Sequence, residues 1–179
     1  MVRVYIPVTL AMLQGLVADG VLHARSGTAF AVTPTLRESY AEGDDDELAE
    51  VALREAALAS LRLLAIDEVG GQERSDSGSV DQSEFPVRRA VLVADVSDAT
   101  DRPDLDDAVV RLAGPVALSD VIAAYVDNAT AEPAVAAAVR VIDDADLGDE
   151  DAELTVGDAQ DHDLAWYATQ ELAFLLELL

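Results

Sequence analysis

The chain has 179 residues, half of them apolar, with 11 basic against 36 acidic side chains, a formal charge of −25 and no cysteine. One domain of that size removes roughly 70% of its unfolded-chain surface from water and needs no covalent staple. Absent thiols exclude disulfides, thiolate metal sites and a cysteine nucleophile. Every basic residue is Arg, so Schiff-base chemistry and a Walker-type phosphate loop are excluded as well.

"VRVYIPVTL" alternates Val2, Val4, Ile6 and Val8 on one side and predicts a strand. Pro7 interrupts the apolar run that a signal peptide would need, so this start reads as a mature N-terminus. Leu10, Leu13 and Leu16/Val17 follow at helical spacing, with Gly20 as the stop. "TAFAVTP" is a second strand, which gives a β–α–β opening.

"GDDDELAEVALREAALASLRLLAIDEV" carries the strongest helical signal. Asp44 and Glu47 have capping-box spacing, and Asp44 to Asp46 place negative charge at the positive end of the helix dipole. That role accounts for the acidic triplet better than metal binding does. Apolar residues cover most of the circumference, so the helix is expected to be packed on more than one side.

Residues 69–86, rich in Ser and Gly, predict a mobile surface loop. "RRAVLVADV" reads as a strand buried on both faces; "AVVRLAGPV" and "IAAYVDN" supply two more, and "EPAVAAAVRVI" a helix with Pro133 in its first turn. Residues 143–163 are acidic and expected to be irregular, with at most one short helix or strand. In 164–179, Leu164, Ala168, Leu172, Leu175 and Leu179 form a helical stripe; a strand through "LAWYA" and a shorter helix is the alternative. The expected fold is a single α/β or α+β domain. Its mixed sheet of about five strands is packed by a long central apolar helix and a C-terminal helix.

At "VRVYIPVTL", "AVTPTLRE", "RRAVLVADV" and "LAWYATQEL" the chain resembles a family of short acidic proteins from high-GC Gram-positive bacteria, catalogued as a domain of unknown function. The resemblance spans nearly the whole length and implies a cytoplasmic bacterial protein. It brings no activity, cofactor or catalytic residue. Arg62 and Glu177 divide the richest apolar stretches below the ~18 residues of a membrane span, so a soluble protein with no membrane partner is expected.

Charge is uneven. Residues 113–179 hold fifteen acids against Arg140 alone, a net −14, whereas residues 1–112 carry −11. Such a field opposes direct binding to a nucleic-acid backbone, whose phosphates require Lys and Arg, and favours a basic protein partner or a cation. The same carboxylates also serve solubility alone.

Among candidate sites, Asp95 and Asp127 each sit near the C-terminal end of an apolar strand, where open α/β sheets place ligands. Were those strands neighbours, Asp95, Asp98 and Asp127 would form a cation site or an acid/base pair. The plainer role for these Asp residues is to cap strand ends and turns. "DADLGDEDAELT" does not fit a calcium loop, since Gly148 and Asp149 fall at the ligand and glycine positions. No nucleophile elbow, His-Glu-x-x-His motif or glycine-rich phosphate loop occurs, and Arg88 and Arg89 are expected to salt-bridge to a nearby acid. If 158–166 were helical, Asp158, His162 and Trp166 would lie one turn apart, making His162 the remaining catalytic candidate; Trp166 is expected to be buried with His162 exposed.

The leading expectation is a non-enzymatic module that contacts a basic protein partner through its acidic C-terminal part. The alternative is a small carboxylate-based enzyme, or a divalent-metal-dependent ligand-binding domain, built on Asp95, Asp98 and Asp127. No organic cofactor is expected, and a divalent cation is the one cofactor these residues suit.

Overall fold

The computed structural model describes residues 1–75 and 85–179, with the backbone alone for 69–75. In chain order these form β1 (Val2–Val8), α1 (Leu10–Asp19), β2 (Val21–Leu22), β3 (Thr28–Phe30), α2 (Pro34–Ser39) and α3 (Asp45–Ser75). There follow β4 (Ala90–Val96), β5 (Ala99–Asp101), β6 (Val109–Leu112), β7 (Val116–Ala117) and β8 (Val121–Val126). The chain finishes with α4 (Glu132–Asp146), α5 (Glu150–Gln160), β9 (Ala165–Ala168) and α6 (Leu172–Glu177).

The fold is α+β. Seven strands form one sheet in the order β5-β6-β3-β1-β4-β8-β9, and β2 pairs with β7 apart from it. The sheet is larger than the five strands expected, and every pairing among the described residues is antiparallel rather than mixed. The opening is therefore no parallel crossover. Gly20, in the left-handed region at φ 78°, ends α1, and β2 and a 3-10 turn at Arg25–Gly27 then intervene before β3 enters antiparallel to β1.

Alternation sorts side chains to two faces. Val4, Ile6 and Val8 of β1, Ala90, Leu92 and Ala94 of β4, and Ala124 and Val126 of β8 pack with Leu13 and Leu16 of α1 and Leu172 and Leu175 of α6. On the other face Phe30, Val91 and Val109 meet Leu36 of α2 and Leu48, Ala52, Ala56 and Ala57 of α3. At 31 residues α3 is roughly 46 Å long, while the seven residues of β1 reach roughly 23 Å, so the helix overhangs the sheet. The overhang carries its own core: Leu61 packs with Val135, Ala138, Val139 and Ile142 of α4 and Val156 and Ala159 of α5. Ser60, fully buried where the two cores meet, donates to the Val8 carbonyl at 2.7 Å and accepts from the Ala90 amide at 3.0 Å, tying α3 to β1 and β4.

The capping box is formed: the Glu47 amide donates to Asp44 Oδ1 at 2.9 Å, and the Asp44 amide to Glu47 Oε2 at 3.3 Å. Three segments depart from expectation. The helix continues through Gly70 and Gly71 to Ser75, so 69–75 are not loop; once a helix is nucleated, a glycine costs it only about 1 kcal/mol. Residues 76–84 of that expected loop lie outside the described residues.

Residues 143–163 are mostly helical instead of irregular. The α4 helix runs to Asp146, Gly148 turns at φ 95°, and Asp149 caps α5 by accepting from the Ala152 amide at 2.9 Å. Glu150, Asp151 and Glu153 then sit at the positive end of α5, which offsets part of their mutual repulsion. Ala152, Val156 and Ala159 make its buried stripe. In 164–179 the alternative holds: Ala165–Ala168 forms a strand on β8, and only Leu172–Glu177 is α-helical. Trp and Tyr favour strands, and the free edge of β8 supplies the backbone partners that a helical stripe cannot outweigh.

Candidate functional site

The antiparallel sheet separates the acids that the sequence brings together on paper. Val126 lies opposite Ala90 in the β4–β8 ladder, so Asp127 stands beside Arg89, at the start of β4, and Asp95 stands six residues further along that strand. At about 3.3 Å per residue they are roughly 20 Å apart, at opposite ends of the sheet. In a parallel pair both C-terminal ends would have shared one edge.

Asp95 pairs on the surface with Arg3 at 3.1 Å. Asp98 follows β4 in an exposed turn, where it lines a pocket of about 90 Å³ with Ser97, Leu112, Gly114, Pro115 and Asp120. That is far below the roughly 300–1,000 Å³ of ligand sites. Among the described residues no cluster of three or more His, Asp or Glu is arranged to hold a metal ion.

Asp127 is fully buried against Arg89, which is 2% exposed. Its Oδ2 accepts from the Arg89 amide at 2.7 Å and from Nε at 2.9 Å, and its Oδ1 accepts from a terminal guanidinium nitrogen at 2.7 Å. That nitrogen also donates to the His162 carbonyl at 2.8 Å, fastening the end of α5 to the start of β4. Arg88 reaches Glu132 at 2.9 Å on α4. Both arginines thus take the salt-bridging role expected of them, and Asp127 is a fully hydrogen-bonded structural acid with no free oxygen turned to a ligand.

The α5 helix ends at Gln160, so Asp158, His162 and Trp166 do not share a helical face. No ion pair joins His162 to an acid among the described residues. The expected burial of Trp166 is reversed: it is 56% exposed, since strand alternation directs Tyr167 to the core and sets Trp166 opposite Tyr125 on the other face.

What the fold does assemble is a negative surface on the α4–α5 hairpin. All ten acids of 143–163 are exposed: Asp143, Asp144, Asp146, Asp149, Glu150, Asp151, Glu153, Asp158, Asp161 and Asp163. Only Asp146 has a cationic partner among the described residues, Arg62 of α3, through hydrogen bonds of 2.9 and 3.0 Å. That contact holds the Asp146 carboxyl below the usual carboxylate range. Elsewhere Arg3, Arg37, Arg88, Arg89 and Arg102 are each engaged by an acid of their own. Within the acidic surface Leu147 and Leu154 stand 87% and 70% exposed. The sequence displays this charge but not its support, because the apolar stripe of α5 is built largely from alanine.

The model of a family described as a family of unknown function, DUF6912, matches residues 2–176. No curated protein and no solved structure matches the chain. Among the described residues no helix is long and apolar enough to cross a membrane.

Proposed function

Since the chain belongs to the DUF6912 family of unknown function, a membership that prescribes no chemistry, we propose from the geometry that it is a non-enzymatic interaction module whose α4–α5 hairpin binds a basic protein partner. One observation carries the reading: ten exposed acids on the α4–α5 hairpin and just beyond its end, nine of them without a cationic partner among the described residues. A fixed field of one sign steers an oppositely charged partner and sets its orientation. Leu147 and Leu154 add apolar contact inside that field, where charge alone would give only a weak, salt-sensitive encounter. The carboxylate-enzyme alternative loses its premise, because Asp95 and Asp127 lie at opposite ends of the sheet.

The test is capture from a native lysate at low and high salt, using the wild-type chain and a folded variant carrying Asp151→Asn, Asp158→Asn and Asp161→Asn. A basic protein should be retained by the wild type at low salt, and be lost both at high salt and from the variant. Recovery of no salt-sensitive basic partner, or equal recovery by the variant, would overturn the reading.

A further inference from the structure

Between α3, α4 and α5 the overhang leaves an open groove of about 240 Å³. Leu58, Ile142 and Val156 form its apolar floor, and Asp146, Glu153 and Gln160 stand at its rim. It is smaller than the roughly 300–1,000 Å³ that small-molecule sites occupy, and its size and chemistry suit one long side chain with an apolar stem and a cationic head. Arg62 of this chain is part of its lining, its guanidinium forked on Asp146 and its side chain 44% exposed. Such a stem covers apolar surface while the head stays in water.

We infer that this groove is the anchor site of the basic partner, taking one arginine or lysine side chain of that partner beside Arg62, its cationic head replacing the Arg62 guanidinium on Asp146; the inference rests on the proposed function. Three features converge. The Arg62–Asp146 pair is wet on both sides, the class of ion pair that contributes little to stability, so a better-placed cation can displace it. Glu153 is exposed on the same rim and has no cationic partner among the described residues, leaving a second carboxylate for the incoming head. The floor is apolar, and arginine is among the residues enriched at interface hot spots, where the surrounding contacts exclude water. Arg62 then acts as an internal competitor for Asp146.

The test titrates a dye-labelled nona-arginine peptide, read by fluorescence anisotropy, into the wild type and four single variants whose folding is checked by thermal melting. Arg62→Gln releases Asp146 to the incoming cation, and it should tighten binding by about three- to fivefold. Arg140→Gln makes the same charge change at an exposed position of α4 outside the groove and should alter affinity by less than about twofold. Glu153→Gln should weaken binding more than Asp158→Asn does. Methyl resonances of Leu58, Ile142 and Val156 should shift on peptide addition ahead of those of Leu147 and Leu154. Equal responses to Arg62→Gln and Arg140→Gln, with Glu153→Gln no worse than Asp158→Asn, would overturn the anchor while leaving the basic-partner reading in place. Failure of the wild type to bind the peptide even at low salt would overturn both.

Discussion

The corner formed by Arg89 and Asp127 and the hairpin formed by α4 and α5 meet at His162, yet they treat charge in opposite ways. In the corner two ionised groups are removed from water, and each is surrounded by partners: three hydrogen bonds reach the carboxylate, and one guanidinium nitrogen also finds a carbonyl. On the hairpin ten carboxylates stay in water and one of them meets a cation among the described residues. Burial forces complete pairing, because an unpaired buried charge is far costlier than the pair gains. Exposure imposes no such requirement, so only the exposed acids can answer to a partner. A strongly acidic composition therefore contains two populations, one fixing the sheet and one coating it.

Substitutions can break or sharpen that contrast. Asp127→Ala strands the Arg89 guanidinium and amide in the core and should cost about 3–5 kcal/mol in denaturant unfolding; a loss under about 1 kcal/mol would mean the pair is not the anchor its burial indicates. Ser60→Ala leaves the Ala90 amide and the Val8 carbonyl without their buried hydroxyl partner, and should cost about 1–3 kcal/mol by the same measurement.

Within the hairpin, Asp149→Ala removes the α5 cap and should cost about 1 kcal/mol. Asp151→Asn and Asp158→Asn should stay within about 0.5 kcal/mol of wild type, and a larger penalty for either would show that the outer acids hold the fold.

The smallest effect concerns Glu55, half-buried on α3. Burial pushes its carboxyl above the usual range, nearby Asp106 adds to the rise, and Arg62 opposes it. A raised folded-state value means the contribution to stability is fully present below the unfolded value and is lost as pH rises through the folded one. Glu55→Gln should therefore melt slightly higher than wild type near neutral pH. That advantage should vanish as the pH falls into the ordinary carboxylate range, and thermal melts across that interval check both sign and window.

Much of this was readable locally. The Asp44–Glu47 capping box, the Gly20 stop, the β1 alternation and the many-sided apolar helix each depend on neighbours within a few positions, and each is found. Segments whose state depends on distant partners were not readable in that way. The stripe through Leu164 and Ala168 competes with a sheet edge supplied forty residues earlier, and the edge wins. The 143–163 segment looks too charged to order, yet Ala152, Val156 and Ala159 suffice once α4 and the end of α3 are there to receive them. The candidate site followed the same division. Asp95 and Asp127 were correctly placed near strand ends, but pairing direction decided that those ends lie on opposite sides.

By itself, then, the sequence determined which chemistries are excluded, where the strongly periodic elements lie, and that the C-terminal part is the more negative, because these follow from composition and short-range spacing. Tertiary structure alone decided which acids are buried and paired, that Trp166 faces water, and that Arg62 lines a groove beside the acidic hairpin. Those outcomes turn on strand direction and on helices meeting across the core, contacts between residues tens of positions apart that no local pattern encodes.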